Sequence, residues 1–296
     1  MNVRIKLGFA AASVAALALS ACGSNSLSTD PAGSAAPSVS VSQDADLASK
    51  LPASIKASGV IKVGTDSSYA PSEFLAGDGK TIQGFDVDVF NAVAAKFGVK
   101  AEYQTADFAS IINGVNGKKY DVGVSSFTIN DARKQEVNMV SYFSAGTQWA
   151  TAAGNPKAVD PAKACGKTVA VQTGSTQDTD DLPARQKECG ADKITILQYK
   201  DQGQATNAVV TGKADAMLAD SPVVAYAVKQ SGSKLATLGD IYEAAPYGYV
   251  LPKEQTEFAA AIVEALKGIE SDGAYKAALT KWGVDQGAIT DFAVNP

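Results

Sequence analysis

Five short runs place hydroxyls, carboxylates and a guanidinium just past segments that read as strands. Asp66 follows residues 60–64. Ser125-Ser126-Phe127-Thr128 follows 120–124, with Asn130-Asp131-Ala132-Arg133 soon after. Thr173-Gly174-Ser175-Thr176-Gln177 follows 167–171, and Asp220 follows 214–218. Ligands of open parallel sheets sit beyond the carboxyl ends of the strands. There Arg133 can hold a carboxylate through two parallel N–H bonds. Gly174-Ser175-Thr176 precedes a helix-like stretch whose free amides favour an anion. Asp66 and Asp220 can take positive groups, and Tyr69 and Phe108 can supply flat apolar walls. Taken singly, each residue has a plainer role. Arg133 suits a solvated helix, Asp220 a cap before Ser221-Pro222, Asp66 a turn and Phe108 a core. Their joint placement at strand ends favours one shared site. A carboxylate, an ammonium and an organic side chain on one small molecule would use all of it, which is the inventory of a free amino acid.

The elements that would carry these positions alternate in type. Residues 60–64, 101–104 and 120–124 read as strands. Residues 86–97 read as a helix, with Phe85, Val89, Val93 and Phe97 at four-residue spacing and Gly98 as its stop. Residues 108–115 read as a second helix, and a third starts near Asn130. The grammar then repeats. Strands fall at 167–171, 194–198 and 214–218, and helices at 202–211 and 222–230. A mixed segment opens at Ser175 and is interrupted at Pro183. A strand near 247–251 and helices near 254–269 and 273–282 follow. This order implies an α/β fold with largely parallel sheets covered by helices. The helix–turn–strand unit at 113–121 is echoed at 207–215. Two crossings between lobes are expected, near Gln148 and Glu243. Lobe I would then be 53–147 plus 244–296, and lobe II 148–243.

The N-terminus reads as an export signal. Arg4 and Lys6 precede an apolar stretch, 7–19, that ends in Leu19-Ser20-Ala21-Cys22. Small residues before the cysteine fit signal-peptide cleavage, and the stretch is short for a bilayer span of about 20 residues. The four residues resemble a lipobox. That implies a signal peptide at 1–21, a lipidated Cys22, and attachment to the bacterial cell membrane outside the cytoplasm. Residues 22–52 read as a flexible linker on their low complexity. Removing the first 21 of 296 residues leaves 275, and the loss of Arg4 and Lys6 takes the formal charge from −5 to −7. An acidic chain without basic clusters is a poor nucleic-acid binder. The chain has no histidine, which excludes a Ser-His-Asp triad, a Cys-His pair and histidine metal sites within it. No catalytic group, metal or cofactor is expected. Cys165 and Cys189 are expected to pair, as spare cysteines of exported proteins do.

Several motifs also resemble one family. They begin with Gly64-Thr65-Asp66-Ser67-Ser68-Tyr69-Ala70-Pro71-Ser72-Glu73-Phe74 and Gly84-Phe85-Asp86-Val87-Asp88-Val89. They continue through Asp107-Phe108, Asp121-Val122-Gly123-Val124, the run from Thr128 to Arg133, the run from Thr173 to Gln177, and Ala214-Asp215-Ala216 to Asp220-Ser221-Pro222. In this order they are similar to bacterial extracellular solute-binding protein family 3, the polar amino acid-binding components of ABC importers, over about residues 58–283. The resemblance implies a periplasmic-binding-protein-like fold of two lobes, joined by two crossover hinge segments around a ligand cleft. It places Arg133 on the ligand's α-carboxylate, helped by Ser126 and Thr128, and by Ser175 and Thr176 from the second lobe. Asp220 falls on the α-ammonium, Tyr69 and Phe108 on the aromatic walls, and Asp66 on the ligand's side chain. Gln172 and Gln177 would line that same end. Ser72 stands where the family often has Phe, so a reshaped wall is expected beside Tyr69.

The implied partners are a free amino acid, an ABC permease and its ATPase, with the chain itself a monomer. Glutamine, histidine, arginine and lysine are expected above glutamate and aspartate, because an acidic ligand would set two carboxylates together near Asp66. Two other readings compete. An enzyme on the same scaffold, similar to cyclohexadienyl dehydratase, would be revealed by turnover. A ligand-sensing partner of a receptor would be revealed by the absence of neighbouring permease and ATPase genes.

Overall fold

The computed structural model describes residues 39–296. The expected leader, its cleavage site and Cys22 lie outside the described residues. Folded structure starts earlier than the sequence reading placed it, with α1 (Ala45–Ser49) and α2 (Ala53–Ser58). Asp44 caps α1 by accepting from the amides of Asp46 and Leu47. Leu47, Leu51 and Ile55, spaced by four, are buried in the main core. Residues 45–52 therefore belong to the folded body and not to the tether, because one apolar stripe outweighs the polar composition around it.

The first parallel set follows. β1 (Val60–Thr65) lies between β5 (Lys100–Thr105) and β6 (Val122–Thr128), with Val63 opposite Val122 and Gly64 opposite Gly123. Ile61, Val63, Val122 and Val124 are fully buried, as central strands covered on both faces require. Between β1 and β5 the chain makes a small antiparallel sheet that sequence reading missed: β2 (Ser68–Tyr69), β3 (Glu73–Leu75) and β4 (Ile82–Gln83). Strands this short, divided by Pro71, Gly77 and Gly79, carry no periodic signal. Next, α3 (Phe85–Lys96) packs Phe85, Val89, Phe90 and Val93 into the core. Its cap, Gly84, has φ 142, and a Cβ there would meet Ser72 O at 1.9 Å. Only glycine lets the start of α3 lie against the chain leading into β3. A 3-10 turn at Phe108–Ser110 leads into α4 (Ile111–Asn116), and β6 leads into α5 (Asp131–Glu136).

The second set is β8 (Thr168–Gln172), β9 (Thr195–Tyr199) and β10 (Ala216–Asp220), again parallel. A π turn, Gln177–Asp181, leads into α6 (Leu182–Glu188). The helical run is continuous from the π turn into α6, and Pro183 falls where it changes from π to α, as the mixed segment read from the sequence implies. α7 (Gln202–Val210) and α8 (Ser221–Gln230) cover this set. Cys165 and Cys189 form the expected disulfide, with an S–S distance of 2.07 Å.

Two long antiparallel strands join the sets. β7 (Asn138–Ala152) and β11 (Leu235–Leu251) pair with each other along their lengths, with register shifts between Leu238 and Tyr242 and between Tyr242 and Ala245. The later part of β11 pairs with β6, and the later part of β7 pairs with β10. The sheet order is β5-β1-β6-β11-β7-β10-β8-β9. Sequence reading assigned nothing to 138–147 and only the end of β11. Almost every residue of β7 is buried, so alternation, the usual mark of a strand, is absent. α9 (Thr256–Ser271) and α10 (Ala274–Trp282) pack back on α3. Among the described residues no helix is long and apolar enough to cross a membrane, and no cluster of acidic, cysteine or histidine side chains could hold a metal ion.

Candidate functional site

The site lies where the ends of β1 and β6 face the ends of β8 and β10. Asp66 follows β1 and is buried, 4% exposed. Its carboxylate accepts from the Ser68 amide (2.9 Å), the Phe108 amide (3.1 Å) and Gln172 Nε2 (3.0 Å). Gln172 ends β8, so this last bond crosses between the two halves. Burial raises the Asp66 carboxyl to about 6, against the opposing pull of Ser68 and Phe108.

Arg133 comes from α5. Asn130 caps that helix by accepting the Arg133 amide (2.9 Å). The guanidinium donates to Thr128 O (2.8 Å) and, across the halves, to Gly174 O (3.1 Å). It also lies 5.5 Å from the ring centroid of Phe108 and 5.4 Å from that of Phe127, which stack on each other. Burial lowers its pKa to about 10, so it stays charged at neutral pH. Arg133 forms no ion pair among the described residues.

Asp220 ends β10. Its carboxylate accepts from Gln177 Nε2 (2.8 Å) and from the Tyr247 hydroxyl on β11 (2.7 Å), and its amide donates to the Tyr69 hydroxyl (3.2 Å). Burial raises the Asp220 pKa, and the bonds from Tyr247 and Gln177 oppose that rise. Gln177 also donates to Thr147 Oγ1 on β7 (3.0 Å). Tyr69, reaching from β2, packs with Ala219, Val223 and Val224 of the other half. A cavity of about 200 Å³ beside the crossing strands is lined by Thr128, Thr147, Thr176 and Asp220, among others.

Some residues sit differently from the sequence reading. Ser125 to Thr128 belong to β6 instead of following it. Ser126 has φ 48, and its amide and hydroxyl both donate to Asp86 Oδ2, at 3.0 and 3.2 Å. The Ser175 hydroxyl donates to Gln172 O (2.8 Å). The Gly174 amide is taken by Asp178 Oδ2 (2.9 Å), so it is not free for an anion as the loop's position suggested. Ser72 is fully buried, and Phe74 packs on Tyr226 and Trp282. Thr147, Tyr247, Glu73 and Asp86 were not singled out. Thr147 lies on β7, where a crossing near Gln148 was expected but no strand, and Tyr247 lies in the strand expected near 247–251. Glu73 and Asp86 appeared only as letters in a motif, with no sign that their carboxyls are buried.

Two α/β halves, joined by two through-running strands and holding charges of both signs where they meet, define a two-lobed ligand-binding protein. The similarities agree. Residues 61–285 match the family of bacterial extracellular solute-binding proteins, family 3, and the chain belongs to that family. It is 34% identical over 253 residues to the arginine-binding protein ArgT of Corynebacterium glutamicum, covering 84% of this chain and 83% of that one. It is 30% identical to the lysine/arginine/ornithine-binding periplasmic protein of Escherichia coli, covering 73% and 84%. Among solved structures, an ancestral arginine-binding protein bound to arginine superposes with a TM-score of 0.71 at 30% identity, covering 76% and 98%.

Proposed function

We propose that this chain captures a free cationic amino acid, of the arginine and lysine class, between its lobes and hands it to an ABC permease. The carrying observation is a charge imbalance. Arg133 is a half-buried cation that forms no ion pair, and Asp66 and Asp220 are buried carboxylates that form none, among the described residues, although Arg133 and Asp220 lie near enough to act on each other. Unpaired buried charges are costly. One ligand with an α-carboxylate, an α-ammonium and a second cation would match all three: Arg133 takes the carboxylate, Asp220 the ammonium and Asp66 the side chain. Phe108 and Tyr69 wall the site, Thr128, Ser126, Ser175 and Thr176 border its carboxylate end, and Gln172 and Gln177 hold the two acids. The names of the relatives support the cationic choice.

In this reading the lobes are 53–147 plus 244–296 and 148–243, hinged in β7 and β11, and the ligand favours the closed form because only that form presents both sets of groups. Cleavage before Cys22 and lipidation there would hold a monomer at the outer face of the cell membrane. The chain acts as a binder and not as a catalyst. One solved relative is described as an ancestral amino acid-binding protein and a precursor of cyclohexadienyl dehydratase. No observation in the site favours turnover. A thermal-shift screen of the twenty amino acids tests the reading, since a bound ligand raises the apparent stability. Arginine or lysine should give the largest shift, and each should be recovered unchanged after incubation. A largest shift with glutamate or aspartate would reject the assignment.

A further inference from the structure

Behind the site lies a second pair of acids that no ligand can reach. Glu73 on β3 and Asp86 on α3 are both fully buried. Asp86 Oδ2 accepts three donors: the Ser126 amide (3.0 Å), the Ser126 hydroxyl (3.2 Å) and the Tyr142 hydroxyl on β7 (2.5 Å). Glu73 Oε1 accepts one, from Ser125 Oγ (2.9 Å), which in turn accepts the Asp66 amide (3.0 Å). Their remaining oxygens, Glu73 Oε2 and Asp86 Oδ1, are both buried and have no hydrogen-bond partner, and each carboxyl acts on the other's protonation.

Two carboxylates can share a hydrogen bond only if one of them keeps its proton. Asp86 has three donors to stabilise a negative charge and Glu73 has one, so the proton belongs on Glu73. We infer that Glu73 stays protonated at neutral pH and donates from Oε2 to Asp86 Oδ1, and that this bond fixes the ends of β1 and β6 from which Asp66, Thr128 and Arg133 are presented. Glu73 is thus a positioning residue. On one side it holds Ser125, which holds the Asp66 amide. On the other, Asp86 holds Ser126 in its left-handed conformation, two residues before the Thr128 carbonyl that grips Arg133. This inference goes beyond ligand choice and does not depend on it.

The surroundings agree. Around the pair stand Asp66 after β1, Tyr69 on β2, Tyr103 on β5, Tyr142 on β7, Tyr249 on β11 and Tyr275 on α10. All are acids or phenols. Neither Glu73 nor Asp86 is ion-paired with a lysine or arginine among the described residues. Burial, then the neighbouring Asp86 charge, raises the Glu73 carboxyl well above its ordinary value. In the unfolded chain Glu73 ionises near 4.5. Its contribution to stability is complete below that pH and is lost as pH rises toward the folded-state value.

Glu73→Gln tests this, because the amide can donate to Asp86 and accept from Ser125 without titrating. Urea unfolding of the ligand-free protein should be measured from pH 4.5 to 8 for both forms. The folding constant of the wild type, relative to Glu73→Gln, should fall by about tenfold per pH unit until Glu73 ionises in the fold. Infrared spectra at pH 7 should show a protonated-carboxyl band that is absent from Glu73→Gln. A ratio that stays flat above pH 5, or no such band, overturns the inference. For the positioning role, arginine titrations should compare Glu73→Gln with Glu73→Leu. Gln should stay within about threefold of wild type, and a folded Leu variant should lose at least tenfold. If Gln itself loses tenfold while folded, or Leu binds as well as Gln, the positioning role is wrong. The unfolding and infrared arms use no ligand, so they are read independently of whether arginine binds.

Discussion

Asp66→Asn should move stability and affinity in opposite directions. In the ligand-free protein the Asp66 carboxyl rises from 3.8 to about 6 because burial disfavours its charge. About two pH units, at about 1.4 kcal/mol each, is about 3 kcal/mol against the charged form. A raised folded-state pKa contributes stability below the unfolded value and loses it as pH climbs through about 6. The substitution removes that loss. Ser68 reaches Oδ1 and Phe108 reaches Oδ2, so the amide oxygen keeps one of these bonds and the NH2 is set against the other donor. At pH 8 the ligand-free variant should therefore be more stable than wild type by about 0–2 kcal/mol, the lost bond offsetting part of the gain. At pH 4 the gain should vanish. Arginine binding should weaken by about 2–5 kcal/mol, as when one partner of a buried charge pair is lost. In the wild type, protons compete with the cation, so arginine affinity should fall below about pH 6, by up to about tenfold per unit, whereas the variant's should not. Urea unfolding and calorimetry at pH 4, 6 and 8 read all of this. A variant whose stability difference from wild type is the same at pH 4 and 8, or that binds arginine as tightly as wild type, would refute the reasoning.

Other substitutions probe the remaining contacts. Arg133→Ala should cost about 2–5 kcal/mol of arginine binding by calorimetry while leaving the ligand-free fold intact; undiminished affinity would remove Arg133 from the site. Tyr247→Phe withdraws one of the two donors on the Asp220 carboxylate, so arginine binding should weaken by about 1–2 kcal/mol and become more acid-sensitive, the result of leaving a buried acceptor short of a partner. Replacing Cys165 and Cys189 together with Ser opens a loop of sequence separation 24 and should lower the unfolding free energy by about 3 kcal/mol, with arginine affinity unchanged because the disulfide lies away from the cleft.

Much of the fold is legible in the sequence. Strand-end placement found Asp66, Arg133 and Asp220 because parallel strands deliver polar residues to one edge of a sheet. The helix of 86–97 and the strand of 60–64 fell within two residues of α3 and β1, since their apolar spacing is regular. What failed to show had no local signature. β7 is buried on both faces, so its residues do not alternate, and Thr147 went unnoticed with it; Tyr247 lay in the expected strand near 247–251, but nothing local marks its hydroxyl as a partner of Asp220. Ser126 was assigned to the ligand on its type and position, but its hydroxyl is spent on Asp86. That preference is set by a buried carboxyl 40 residues away, which no window on the sequence contains. Leu47, Leu51 and Ile55 were the opposite case: the stripe was readable, and a polar composition masked it.

The central claim is that three charges where the lobes meet, half-buried Arg133 and buried Asp220 and Asp66, are completed by one cationic amino acid. A calorimetric titration of the purified protein at pH 7.5 with arginine, and with glutamate under the same conditions, tests it most directly. Saturable binding of one arginine per chain, with glutamate inert or weaker by at least a hundredfold, is the predicted result. Tight glutamate binding with arginine inert would contradict it.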